Sequence, residues 1–162
     1  MKTVSLIATV FLSILIHRHS TAQENEFKWP DHKTMAISLT WDDGRASQVD
    51  IGTAILNKYG IKATFYVLPS AVEKSLDSWK QAVADGHEIG NHSLNHPCSG
   101  NFLWARDKAL EEKELDDIQQ ELLTANSRLK EMLGVDATEF AYPCGQTFVG
   151  GFVGVPEERE LD

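Results

Sequence analysis

Three short stretches of this chain carry the residue types that chemistry needs. Asp42 and Asp43 close the run MAISLTWDDG, His92 and His96 bracket HSLNH, and Cys144 sits in YPCG. Two imidazoles four residues apart in a tight turn can face one ion. A carboxylate from a neighbouring loop then completes two histidines and one carboxylate, the composition of an open divalent-metal site. Taken singly, each piece has a plainer reading: Asp-Asp-Gly is turn chemistry, and an H-x-x-x-H pair is commonly two surface histidines. Taken together they predict Asp43, His92 and His96 as metal ligands with one position left for water. A bound metal lowers the pKa of that water from ~15.7 toward ~7. Asp42, next to a ligand without needing to be one, is then the expected base, and the backbone N–H of Cys144 the expected donor to the oxyanion.

These residues can meet only if the fold brings three loops together. Met35, Ile37, Leu39 and Trp41 alternate with Ala36, Ser38 and Thr40, the period of a strand, which delivers the two aspartates to its carboxyl end. Adjacent strand residues point to opposite faces, so both carboxylates reach one site only if the backbone turns there, and Gly44 permits it. Ser47 is placed to cap a helix with Ile51, Ile55 and Tyr59 on one face and Gly60 at its end. A second strand follows at 61–67, closed by Pro69, then a short helix with Trp79 and Val83 inward and Gly86 after it. The third strand, 87–91, runs into HSLNH. From 110 to 133 the residues Leu115, Ile118, Leu122, Leu129 and Leu133 predict one long amphipathic helix, with acidic residues at its start, Arg128 and Lys130 near its end, and Gly134 as cap. Its charge run reads as a solvated face. A fourth strand is expected at 137–142. Alternating strands and helices imply an α/β fold with a mostly parallel sheet, whose strand carboxyl ends hold all three stretches.

The chain has 162 residues and a net charge of −9, from 15 Lys and Arg against 24 Asp and Glu. Lys2, an apolar run from Val4 to Ile16 and the small residues Ser20 and Ala22 read as a signal peptide over 1–22, cut after Ala22. Cleavage removes Lys2 and Arg18 and no acid, which takes the charge to −11. Such an excess argues against nucleic acid or anionic lipid as partners and is compatible with neutral substrates. The expected location is secreted or periplasmic, with no stable membrane association after cleavage. Export also makes a disulfide between Cys98 and Cys144 the expectation, with two free thiols as the alternative. Residues 23–34 form a lead-in, and 35–162 form one domain. His87 is expected to be an ordinary hydrogen-bonded histidine, Trp41 and Trp79 core residues, and Trp104 and Tyr142 substrate contacts.

Thr40 to Gly44 (TWDDG), His92 to His96 (HSLNH) and Phe140 to Gly145 (FAYPCG), in this order and spacing, resemble the first three motifs of the polysaccharide deacetylases, carbohydrate esterase family 4, with their NodB homology domain. The resemblance covers about Met35 to Gly150. It implies a distorted (β/α) barrel of about seven strands, present here in part. It also implies metal-dependent removal of acetyl groups from N- or O-acetylated glycans of the chitin, peptidoglycan or xylan type. The roles it carries over are Asp42 as base, Asp43, His92 and His96 on one divalent ion, and the Cys144 N–H as oxyanion donor. Zinc is the expected metal, with cobalt, manganese and nickel as alternatives. Two departures stand out. Ala141 replaces an arginine that orients the base in many members, with Arg45 or Arg106 as candidate substitutes. No histidine follows His96, whereas the family's fifth motif brings one for the leaving group, so a chain cut short after the third motif is expected. The rival expectations are a catalytically weak or inactive carbohydrate- or metal-binding remnant, and an amidase acting on non-peptide C–N bonds.

Overall fold

The structure is a computed structural model that describes residues 28–151. The expected signal peptide and the residues after 151 lie outside the described residues. Two compact units divide between Ala36 and Ile37. Of the first, the described part contains only the short turn Pro30–His32. The second holds everything that follows.

Its sheet has three parallel strands in the order β1 (Thr40–Trp41), β2 (Thr64–Val67), β3 (Glu88–Asn91). Thr40 pairs with Thr64 and Trp41 with Phe65; Thr64 through Val67 pair with Glu88 through Asn91. The first strand is much shorter than the alternation at 35–41 predicts. Among the described residues it has a neighbour on one side only, and Ile37 is 77% exposed: periodicity marks a face, but burial needs something to cover it. The expected fourth strand at 137–142 contracts to one parallel bridge between Asn91 and Phe140, made by Asn91 N–H to Glu139 O and Ala141 N–H to Asn91 O. Beyond it Pro143 has no N–H to offer, and the Tyr142 carbonyl is taken by Gly145 N–H in a turn. The parallel α/β class therefore stands, while the described residues form an open sheet and not a closed barrel.

The core lies on one face of β2. Phe65 and Val67 are buried there with Ile89, Trp79, Val72, Ala82, Val49, Leu56 and Leu129. Phe65 is its centre: Trp41 stacks on it at 5.4 Å and Trp79 meets it edge-on at 5.5 Å. Each such side chain contributes about 1.5–3 kcal/mol by leaving water. Trp41 and Trp79 thus occupy the core positions their spacing predicts.

The first helix differs from expectation in its inward face. A π-turn at Gln48–Gly52 leads into α1 (Thr53–Lys58), and Val49, Thr53 and Leu56 are buried while Ile51, Ile55 and Tyr59 are exposed. The covered stripe lies two residues out of step with the apolar one, on the opposite side of the helix. Thr53 enters the core because its hydroxyl donates to Val49 O at 2.5 Å. Ser47 makes no capping bond. Gln48 does that work instead, accepting Arg45 N–H on Oε1 and donating from Nε2 to Asp42 O. Pro69 opens a helix, α2 (Pro69–Lys74), which is followed by α3 (Leu76–Ala84) carrying Trp79. The long helix α4 runs from Leu115 to Leu133. Glu114 N–H is held by the Asp117 carboxylate at its start, and Gly134 closes it in the left-handed conformation. Residues 110–112 form a separate 3-10 turn. Among the described residues no helix is long and apolar enough to cross a membrane.

Candidate metal centre

Asp42, Asp43 and Gly44 leave the end of β1 in a tight turn. Asp43 and Gly44 both have positive φ, 76° and 71°, so the backbone reverses within the carboxylate pair itself. A Cβ at Gly44 would stand 3.1 Å from two Val67 side-chain atoms, so glycine is required both by conformation and by space. Asp43 Oδ1 points toward the histidines, and its Oδ2 accepts Arg45 Nε and Nη2 at 3.1 and 3.0 Å. Asp42 is exposed, and its carbonyl is held by Gln48.

The histidine loop leaves the end of β3. His92 is 2% exposed. Its Nδ1 lies 2.9 Å from the Ala141 carbonyl, which can only accept, so the proton is on Nδ1 and the Nε2 lone pair faces the site. Ser93 and His96 both adopt the left-handed region, φ 67° and 54°. Ser93 N–H donates to Asn91 Oδ1, and His96 N–H donates to Ser93 Oγ. The two imidazoles pack edge to face, 4.9 Å between centroids.

These loops bring Asp43, His92 and His96 together. Asp43 Oδ1 is 3.6 Å from His92 Nε2 and 3.4 Å from His96 Nε2, and all three ligand atoms lie within 4.8 Å of one another. Two ligands about 2.0–2.1 Å from a tetrahedral ion stand roughly 3.4 Å apart, so the donor set and its spacing fit a divalent ion such as zinc. Burial, with the neighbouring His92 second, holds the His96 imidazole below the ordinary histidine range despite the opposing pull of Asp43. A neutral imidazole is the form that binds metal.

The third loop flanks this cluster. Cys144, at φ 56°, is joined to Cys98 with a Cα–Cα distance of 6.0 Å, and Cys98 Sγ lies 3.5 Å from His96 Nδ1. Trp104 is exposed, 5.9 Å from the His96 ring and stacked on Phe102 at 5.5 Å. Tyr142 is also exposed and meets Phe140 edge-on. Neither arginine proposed to orient Asp42 does so: Arg45 binds Asp43, and Arg106 donates to Gly100 O. His87 is a buried core-edge histidine, bonded to Asn57 and packed against Phe65.

Two residues that sequence reasoning missed support the histidine loop. Asn91 Nδ2 donates to Leu122 O and Asn126 Oδ1 on α4. Glu121, not singled out from the sequence, is 7% exposed and accepts three hydrogen bonds from the loop. The signal was available: Glu121 falls in the stripe of Ile118, Ala125 and Leu129, where a carboxylate has no reason to be unless something donates to it.

What fold and site define is a parallel α/β domain with a His-His-Asp cluster gathered at its strand ends. The polysaccharide deacetylase family profile matches residues 30–148, and the chain belongs to that family. A protein named gellan lyase from a Bacillus species is 37% identical over 117 residues, which are 72% of this chain and 4% of that protein. The peptidoglycan-N-acetylglucosamine deacetylase PgdA of Listeria monocytogenes is 42% identical over 62 residues, 38% of this chain and 13% of that enzyme. The solved structure of Streptococcus pyogenes deacetylase PplD with acetate superimposes with a TM-score of 0.59 at 25% identity, covering 71% of this chain and 49% of that one. The chain thus spans less than half the length of each.

Proposed function

We propose that this domain carries the attacking half of a metal-dependent deacetylase acting on N- or O-acetylated glycans outside the cytoplasm. The observation that carries the reading is the convergence of Asp43 Oδ1, His92 Nε2 and His96 Nε2 from two strand ends at ligand-to-ligand spacing. The chemistry a divalent ion supplies there is Lewis acidity toward a carbonyl and toward water. Asp42 takes the proton of the attacking water from its exposed place in the same turn. The Cys144 N–H, on a loop tied through Cys98 to the histidine loop, donates to the developing oxyanion. Trp104 offers an exposed ring beside His96 on which a sugar can stack. Peptidoglycan is the favoured glycan because the Listeria relative bears that substrate in its name. The disulfide agrees with an oxidising compartment.

The test is acetate release from N-acetylated peptidoglycan fragments, acetylated chitin oligomers and acetylated xylan, with zinc or cobalt and with chelator. Asp42→Asn is expected to lower kcat at least about 100-fold while zinc uptake measured by calorimetry stays within about threefold. Release that survives chelation, or an Asp42→Asn variant of undiminished rate, overturns the reading.

A further inference from the structure

The histidine loop HSLNH is bent against its own preference. Ser93 and His96 stand in the left-handed region, which non-glycine residues avoid and keep only where their surroundings over-determine it. Between them lie Leu94 and Asn95, whose backbone N–H groups both point at one atom, Glu121 Oε2, at 3.1 and 2.7 Å. Asn95 Nδ2 donates to the other oxygen at 2.7 Å. All three donors come from the segment between the two metal-facing histidines, and none from α4, the helix that carries Glu121.

Among the described residues Glu121 is the one buried acidic side chain, and the groups that bond its carboxylate are two backbone N–H groups and one side-chain amide, none of them a cation. A buried carboxylate without a counter-charge is costly, and here donors from the loop are what offset it. The cost therefore becomes specificity of shape: the charge is satisfied only when Leu94 and Asn95 turn inward, and that turn is what Ser93 and His96 must bend to allow. The same helix fixes the loop's origin one step further on, where Leu122 O and Asn126 Oδ1 take the Asn91 amide. Ser93 Oγ then holds the His96 N–H.

We propose that Glu121 is a positioning residue that sets the spacing of His92 Nε2 and His96 Nε2 before any ion arrives, so that the loop is assembled as a metal-binding unit by α4. The proposal rests on the metal reading of the Asp43, His92 and His96 cluster.

Zinc affinity is measured by competition with a chromophoric chelator on the full chain, together with the visible spectrum of the cobalt-loaded protein and the thermal midpoint. Glu121→Ala is expected to weaken zinc binding about 10- to 100-fold, as loss of groups that orient ligands generally does, and to change the cobalt spectrum. Glu121→Gln keeps an oxygen for both N–H groups, and its amide can pair with a flipped Asn95. It is expected to stay within about threefold of wild type. Glu121→Asp keeps the charge but falls one methylene short, and is expected to bind more weakly than Glu121→Gln. Leu129→Ala, in the core on the same helix, lowers the thermal midpoint and leaves zinc affinity unchanged, which separates positioning from general stability. If Glu121→Ala does not fold, the order of the Gln and Asp variants decides. Wild-type affinity in Glu121→Ala or Glu121→Asp overturns the positioning role alone. A wild-type chain that takes up no zinc overturns the metal reading and this proposal together.

Discussion

The two halves of the cluster are built to different standards. His92 follows β3, which pairs with β2 on one side and bridges Phe140 on the other; it is buried, with its ring fixed by the Ala141 carbonyl and its loop held by α4. Asp43 sits at the end of a two-residue edge strand, its side chain 32% exposed, held by an arginine that is itself 72% exposed. The contrast follows from what surrounds each loop: β2, the Asn91–Phe140 bridge and α4 all hold the histidine loop, whereas the turn after β1 depends mainly on its own backbone. The histidines therefore form the template, and the carboxylate completes it.

The firmest way to break this contrast is to open the covalent tie on the histidine side. The Cys98–Cys144 bond spans 46 residues, for which loop-closure entropy gives about 4 kcal/mol. Replacing both cysteines with serine is expected to lower the unfolding free energy by 2–4 kcal/mol in urea titration, and to loosen His96 together with the third loop. A smaller effect comes from acid. His96 and His87 are both held below the ordinary histidine range, by burial first, followed by His92 for the one and Lys62 for the other. The unfolded chain then binds protons at higher pH than the folded one, so stability is full above about pH 6.5. It falls as the pH drops through that value toward the lowered folded pKa. The thermal midpoint of the metal-free protein is expected to decline between pH 7.5 and 5.5. His87→Gln, which can still donate to Asn57, is expected to flatten that slope. The smallest effect belongs to the carboxylate side: Arg45→Ala removes a solvent-facing ion pair, and should change the unfolding free energy by less than about 0.5 kcal/mol. A large loss there would erase the distinction between the halves.

Much of this was legible in the sequence because it rests on spacing. The strand at 64–67, the helix around Trp79, the cap at Gly134 and the three chemical loops all follow from periodicity and turn residues. What periodicity could not supply was the far side of each contact. Ile51, Ile55 and Tyr59 form a good apolar stripe that no described element covers, and the polar Thr53 is inside because one hydroxyl finds Val49 O. The strand at 137–142 has the right residues, and pairs at one position because Pro143 and the turn after it withdraw the backbone. Glu121 was hidden by its company, since acidic residues crowd the start of α4 and only the three-dimensional stripe distinguishes the one that turns inward.

The left-handed backbone of Asp43 has a consequence for anyone who would delete its carboxylate. Alanine would remove the carboxylate and at the same time be forced into a conformation it resists, so lost metal uptake and a disordered turn would arrive as one signal. Asparagine tolerates the same dihedrals with nearly the same shape, and glycine adopts them freely. A matched pair, Asp43→Asn and Asp43→Gly, therefore separates the charge of this residue from its curvature.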